Sequence, residues 1–130
     1  MSEYQIDTNV ILRYLVGDDA KKSTQIKTMM REAKEGNVRL FLSEPIILEV
    51  AVGLRNYYKY SKEKIAELLR IICNLELLKI ENKDIIISTL HYYETYALDF
   101  ADCLLLSRVK KYNQKLFSFD EKLVEISWKI

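Results

Sequence analysis

The sequence predicts an α/β fold in which a short parallel sheet is flanked by helices on both faces. Short apolar runs alternate along the chain with longer amphipathic segments. These runs are continuous rather than interrupted at every second residue, which is typical of strands buried in a parallel sheet. One proline and three glycines punctuate the 130 residues, and no linker or repeat divides them. One domain spanning residues 1–130 is therefore expected.

The first half of the chain predicts a strand, two helices, a strand and a third helix. Gly17 follows the first amphipathic segment and Gly36 follows the second, where glycine commonly ends a helix. Pro45 stands where a helix accepts proline, within its first turn. The predicted elements are a strand at Glu3–Ile6, helices at Thr8–Val16 and Asp18–Glu35, a strand at Val38–Leu42, and a helix from Ser43 to about Tyr58.

The second half predicts three further helices and two strands. Ser61 is a good N-cap for a helix whose apolar residues recur at helical spacing. Leu116–Phe119 reads as a last strand that ends at Asp120. The other predicted elements are a strand at Leu77–Ile80 and helices at Lys83–Tyr96 and Asp99–Tyr112.

The composition excludes several classes of protein. The net charge of +1 gives no global field for nucleic acid, so any basic surface must be local. The single histidine, His91, excludes catalysis by a histidine pair. Cys73 and Cys103 lie in apolar helical patterns and are expected to be buried thiols rather than a disulfide. No run approaches the ~18 apolar residues of a membrane span, and no signal peptide is recognised, so a cytoplasmic protein is expected.

Four acidic residues stand in unusually apolar surroundings. Asp7 and Asp120 follow predicted strands, and the carboxyl ends of parallel strands are where ligands bind in such sheets. Glu49 is the only charge in the stretch PIILEVAVGL, which predicts a helix buried on nearly every side. Asp102 is the only charge within Phe100–Leu106. A buried ionised carboxylate costs several kcal/mol unless a partner or a metal ion compensates it.

Three of these acids also have a structural explanation. Asp7, with Thr8 and Asn9, is suited to start a helix, and Asp99 is suited to cap the helix in which Asp102 occupies the first turn. Glu49 could pair with a cation or lie at the edge of its helix. All four are carboxylates, however, and a set of carboxylates without histidine or cysteine suits a hard cation, Mg²⁺ or Mn²⁺.

Four stretches of the chain together resemble the PIN-domain ribonucleases, in particular the VapC-like toxins of toxin–antitoxin pairs. The resemblance spans almost the whole chain in the right order and spacing. It implies a parallel sheet between helices, Mg²⁺-dependent RNA cleavage, homodimers, and inhibition by a small antitoxin protein. The stretches that carry it are IDTNVILRYL, LSEPIILEV, LDFADCLLLS and LFSFDEKL.

By this resemblance, Asp7, Glu49 and Asp102 match the three core acids and Asp120 matches the fourth. These four residues are the expected catalytic and metal-binding groups. Secondary candidates are the polar residues found beside the acids and the first acid of the DxxD stretch, namely Thr8, Asn9, Ser118 and Asp99.

Three cations are candidates for contact with RNA. Arg13 lies just beyond Asp7, and Lys59 and Lys62 lie in a turn rich in tyrosine. Basic residues beside aromatic rings can hold single-stranded RNA by charge and stacking. An exposed helix cation and solvated lysines over half-buried tyrosines are the structural alternatives.

Other functions remain open from the sequence. A PIN nuclease of RNA processing and a DNA-directed nuclease share the same pattern of acids. A non-catalytic binding module with a vestigial site would be marked by the loss of a core acid, and none is missing. An aspartate-based phosphotransfer protein is a further alternative, but it requires a second aspartate where this chain has Asn9, and Lys122 matches its lysine only loosely.

Overall fold

The structure, a computed structural model, describes residues 1–130 and contains three strands and seven α-helices. Two compact units are distinguished, residues 1–82 and residues 83–130. The elements in chain order are β1 (Ser2–Gln5), α1 (Thr8–Val16), α2 (Ala20–Lys34), β2 (Val38–Leu42), α3 (Glu44–Asn56), α4 (Lys62–Cys73), β3 (Leu78–Ile80), α5 (Lys83–Thr95), α6 (Phe100–Lys111) and α7 (Glu121–Lys129).

The first unit contains a parallel sheet of three strands in the order β1-β2-β3. Tyr4 pairs with Leu40, and Leu40 pairs with Leu78, so the same residue of the central strand marks the register on both sides. Parallel strands require crossover connections, and helix pairs α1–α2 and α3–α4 supply them. The predicted parallel α/β fold is confirmed.

Local signals define most helix ends in this unit. Gly17 adopts the left-handed conformation, with φ of 71°, and its N–H donates to the carbonyl of Arg13, which closes α1. The Ser61 side chain accepts a hydrogen bond from the Lys64 N–H at the start of α4. Glycine tolerates positive φ without the Cβ clash that other residues suffer, and a serine oxygen satisfies an otherwise unpaired helix N–H.

The second unit consists of α5, α6 and α7. Leu106 of α6 packs with Leu123 and Ile126 of α7, and these three side chains are buried. Between α5 and α6 runs a short polar chain, in which Thr89 donates to Ser107 and Ser107 donates to Ser88, with oxygen–oxygen distances of 3.0 and 3.1 Å. The hydroxyls therefore satisfy one another inside an apolar contact.

The predicted strand at Leu116–Phe119 is wrong. Residues 114–120 form an irregular loop, and the next element is α7, which the sequence analysis did not predict. Phe117 and Phe119 are 90% and 95% exposed, so the apolar character of this run does not reflect burial. A strand requires a partner for its backbone groups, and a four-residue run does not reveal whether it has one.

Cys73 and Cys103 are buried thiols, as predicted. No helix in the structure has the length and apolar character needed to cross a membrane.

Candidate active site

Asp7 begins the first helix at the end of the first strand. Its backbone is extended, with φ of −79° and ψ of 157°, and its Oδ1 accepts a hydrogen bond of 2.8 Å from the Thr8 N–H. Asp7 is therefore the N-cap of α1, and Thr8 is the first helical residue rather than the cap. The Asp7 side chain remains exposed to solvent. Its structural role is therefore compatible with a second role toward a ligand.

Thr8 connects the start of α1 to Glu49, the other predicted acid of the first unit. Its hydroxyl donates a hydrogen bond of 2.6 Å to Oε2 of Glu49, which lies on α3. One helical turn further along both helices, a Cβ placed on Gly53 would lie 3.3 Å from Cδ1 of Leu12. A side chain at position 53 would therefore crowd the terminal methyl groups of Leu12 where α3 packs against α1.

The prediction that Glu49 lies in a helix buried on nearly every side is wrong. The buried stripe of α3 comprises Ile47, Val50, Ala51 and Leu54. Glu49 is exposed, and Val52 is 43% exposed. An apolar composition alone does not determine which face of a helix the neighbouring elements cover.

The buried acid of α3 is Glu44, which the sequence analysis did not single out. It is only 8% exposed, and its Oε2 accepts a hydrogen bond of 2.8 Å from the Asn82 side-chain amide. Glu44 lies in the first turn of α3, where the helix dipole favours a negative charge. Its position beside Pro45 in the sequence was the available signal, since acids are common in first turns.

The second unit holds the acids of the DxxD stretch. Asp99 is the N-cap of α6, and its Oδ1 accepts a hydrogen bond of 2.9 Å from the Asp102 N–H. The predicted helix start is therefore confirmed. Asp102 lies in the first turn and is half-buried, whereas Asp99 is exposed.

Asp102 has a perturbed carboxyl group. Partial burial raises its pKa above the ordinary value for aspartate, and the negative charges of Asp99 and Asp120 raise it further. Burial disfavours the ionised form, and nearby like charges do the same. Asp99, Asp102 and Asp120 therefore interact electrostatically within the second unit.

Asp120 follows the irregular loop and is the N-cap of α7. Its Oδ1 accepts a hydrogen bond of 3.1 Å from the Leu123 N–H, and its own N–H donates to Ser118 Oγ at 3.0 Å. Both Asp120 and Ser118 are thus fixed at the start of a helix rather than at the end of a strand.

The three candidate RNA-binding cations have different surroundings. Arg13 pairs with Asp18 at 3.4 Å and lies 3.9 Å from Asp19, so two acids already face its guanidinium. Lys59 is exposed and has a left-handed backbone, with φ of 59°. Lys62 is half-buried at the start of α4.

An open cavity of about 450 Å³ lies beside Asp7 in the first unit. Asn9 and Arg13 line it close to the acid, whereas Ile26 and Met29 form part of its apolar wall. Asn9 therefore faces the same space as Asp7.

The candidate acids carry donor atoms that fit a metal ion. Their donors are carboxylate oxygens, with hydroxyls from Thr8 and Ser118 nearby, and such donors suit a hard divalent cation. The like-charge interactions at Asp102 are of the kind that a cation relieves. The chemistry of the donors therefore fits a divalent cation. The structure contains no group of three or more acidic, histidine or cysteine side chains arranged closely enough to hold a metal ion.

Comparison with known proteins identifies the class. Residues 4–129 match the PIN domain family. Over 125 residues, the chain is 31% identical to a protein named VapC ribonuclease from Aquifex aeolicus (strain VF5), covering 95% of this chain and 92% of that protein. The chain therefore belongs to the PIN-domain family. The resemblance to VapC-like PIN proteins and the predicted PIN-like α/β fold are both confirmed. PIN nucleases use divalent metal ions.

Proposed function

We propose that this protein is a metal-dependent endoribonuclease that hydrolyses phosphodiester bonds of RNA, with Mg²⁺ or Mn²⁺ as its cofactor. Family membership and the similarity to a VapC ribonuclease support the activity. The single structural observation that carries the proposal is the carboxyl group of Asp102. It is half-buried beside two further acids, and its pKa is raised by burial and by their charge.

We assign the metal to Asp7, Glu49, Asp102 and Asp120. A divalent cation, when bound, neutralises charge on the phosphodiester and lowers the pKa of a coordinated water. The residues of the chain do the positioning. Thr8 holds one oxygen of Glu49 through its hydroxyl and leaves the other oxygen available. Ser118 accepts from the N–H of Asp120 and fixes the start of α7.

Asp99 has a supporting role in this proposal. Its Oδ1 is engaged by the Asp102 N–H, so it orders the turn that carries Asp102. The second oxygen and the charge of Asp99 also raise the local affinity for a cation. Asn9 lines the cavity beside Asp7, where an amide can donate to a phosphate oxygen.

Contact with the RNA backbone is assigned to Lys59 and Lys62, with Arg13 contributing less. Arg13 is held by two aspartates, whereas Lys59 is exposed. Phosphate contacts of this kind position a nucleic acid without reading its sequence.

The biological role we propose is that of the toxin of a toxin–antitoxin pair. The VapC similarity supports this role, and a small antitoxin protein is then the expected inhibitor. If the chain is harmless when expressed alone and no protein encoded beside it binds it, the toxin role fails while the nuclease activity can stand. Because RNA is the proposed substrate, we place its action in the cytoplasm.

We also propose that residues 1–130 form one PIN domain and that the protein is a homodimer. The matched residues run from 4 to 129, through both units. Exposed aliphatic side chains on the helices, such as Val52, Ile71 and Leu105, supply apolar surface for a second copy. Light scattering at micromolar concentration tests the dimer, and a monomer mass contradicts it.

Incubation of the pure protein with total RNA or with DNA, in Mg²⁺, Mn²⁺ or EDTA, tests the activity. We expect cleavage of RNA that is lost in EDTA and in Asp102→Asn. Glu125→Gln is the matched control, because it neutralises an exposed acid of α7 outside the proposed site. Undiminished cleavage in EDTA contradicts the mechanism, and cleavage of DNA alone contradicts the substrate.

A further inference from the structure

The loop before α7 presents two phenylalanine rings to solvent. Phe117 is 90% exposed and Phe119 is 95% exposed, more than any other large hydrophobic residue of the chain. Their ring centroids are 6.0 Å apart, and the ring planes meet at 76°. Phenylalanine has no polar atom that favours water, so a pair exposed to this extent indicates a binding surface.

The backbone on both sides of the rings is fixed. Leu116 packs against the buried cluster of Leu106, Leu123 and Ile126. On the other side, the Asp120 N–H donates to Ser118 Oγ, and the Asp120 carboxylate caps α7. The rings are therefore presented by a tethered loop, so that little conformational freedom is lost when they bind a partner.

The charge around the rings selects the kind of partner. Between Arg108 and Lys122 the sequence contains five basic residues and two acids, and one of the five, Lys111, is paired with Asp84 of α5. Lys110 and Lys115 are exposed. Arg108 and Lys111 lie 5.6 and 5.8 Å from the centroid of the Tyr112 ring. Exposed lysines in the same stretch as two exposed phenylalanine rings are typical of surfaces that bind single-stranded nucleic acid, in which bases stack and phosphates contact lysines.

We propose that Phe117 and Phe119 form a stacking surface for unpaired bases of the RNA substrate, with Lys115 and Lys110 beside the phosphates. The proposal rests on the proposed function, since it deepens that function by naming the substrate class. Bases in a duplex are already stacked and cannot be intercalated by a loop without unpairing. The protein therefore selects single-stranded segments over double-stranded RNA. The rings flank Ser118 and precede Asp120 directly, so the bound bases lie next to a residue assigned to the metal.

Binding measurements in EDTA separate recognition from cleavage. We compare the parent with Phe117→Ala/Phe119→Ala by fluorescence anisotropy, using a short labelled single-stranded RNA, the same backbone with abasic sites, and the corresponding duplex. Loss of a base stack on alanine substitution weakens binding by about fivefold to a hundredfold per base. We expect such a loss for the single strand, and equal binding of the parent and the variant to the abasic strand. For Lys115→Gln, the slope of log affinity against log salt concentration should become shallower by about one, which corresponds to the loss of one phosphate contact.

Trp128→Ala is the matched control, because it removes another exposed aromatic ring of the second unit, one that lies on α7 and outside the loop. It should leave the affinity for RNA unchanged. Unchanged RNA affinity in the double phenylalanine variant overturns the proposal. So does a clearly lower melting temperature, which makes the rings structural, or a loss of dimer mass by light scattering, which makes them a protein interface.

Failure of the nuclease and failure of the stacking surface are distinguishable. If the parent cleaves RNA in Mg²⁺ while the double variant binds and cleaves like the parent, the stacking proposal fails and the activity stands. If the parent does not cleave RNA but binds the single strand through the two rings, the nuclease proposal fails and the stacking surface is supported as an RNA-binding site.

Discussion

The hydroxyl of Thr8 donates a hydrogen bond of 2.6 Å to a carboxylate oxygen of Glu49, which lies 41 residues later in the chain. Two helices meet at this bond, and one turn further along a Cβ placed on Gly53 would lie 3.3 Å from Leu12 Cδ1. A hydrogen bond to an ionised group is typically worth about 1.5–3 kcal/mol when partly shielded, and it also fixes the orientation of that group. Thr8 is thus a positioning residue for Glu49.

Thr8→Val should lower kcat/KM for RNA by about tenfold to a hundredfold, because Glu49 loses its orientation while the shape of the side chain is nearly kept. Thr8→Ser retains the hydroxyl and should retain most of the activity. Melting temperatures of the three proteins check that the fold is unchanged. Equal activity of the valine and serine variants would contradict a positioning role.

Two substitutions of Asp7 should separate its role as a helix N-cap from its proposed role as a metal ligand. Asparagine is as good an N-cap as aspartate but carries no charge, so Asp7→Asn should melt close to the parent and lose cleavage. Asp7→Ala loses the cap as well and should lower the free energy of unfolding by a further ~0.5–2 kcal/mol. Denaturant melts and RNA cleavage assays of both variants measure these effects. If Asp7→Asn cleaves RNA as well as the parent does, Asp7 acts only as a helix cap.

Asp102→Asn should abolish cleavage and leave the metal-free protein as stable as the parent or more stable. The variant loses a proposed metal ligand, and it also loses the repulsion from Asp99 and Asp120. If Asp102 only stabilised the first turn of α6, its neutralisation should instead destabilise the helix by ~0.3–1 kcal/mol. Added Mg²⁺ should raise the melting temperature of the parent more than that of the variant. A variant that melts clearly lower in EDTA yet still cuts RNA would make Asp102 structural.

The same residue predicts a pH dependence of stability. Because the folded state raises the pKa of Asp102, the unfolded chain releases this proton at a lower pH than the folded protein does. Between the ordinary aspartate pKa and the raised value, the unfolded state therefore binds fewer protons, and this group lowers stability as pH rises. Asp102→Asn should lack this contribution. Melts of the metal-free proteins across acidic pH compare the two curves, and identical curves would contradict the raised pKa.

Glu44 should contribute to stability rather than to catalysis. Its carboxylate is buried and accepts from the Asn82 amide at 2.8 Å. Glu44→Ala leaves that amide without its acceptor and should cost about 1–3 kcal/mol of unfolding free energy. Asn82→Gly tolerates the left-handed backbone at φ of 53° but loses the same bond, so the two changes together should cost less than the sum of each alone. Additive costs would show that the two residues act independently, and the exposed Glu81→Ala is the control for a nearby acid.

Most of the local structure could be predicted from the sequence alone. The helix at Thr8–Val16 and the strand at Val38–Leu42 were predicted with the boundaries that the structure has. Ser61 caps α4 as predicted, and Gly17 closes α1. These features depend on interactions between residues a few positions apart, such as a cap oxygen and the next N–H groups, so the local sequence specifies them. The candidate acids could also be recognised from the sequence, because carboxylates are unusual in apolar stretches.

Which of those residues are buried, and which are in contact, depends on how the helices and strands pack together. The apolar run at Leu116–Phe119 forms a loop with two exposed rings, and the apolar helix around Glu49 leaves that acid in solvent. Neither outcome can be predicted from the local sequence, because the burial of one face of a helix or loop depends on the elements packed against it. The bond between Thr8 and Glu49 joins positions 41 residues apart, and only the packing of α1 on α3 brings them within 2.6 Å. Long-range contacts of this kind are set by the assembled core, since the hydrophobic effect rewards total buried area and does not act on one segment alone.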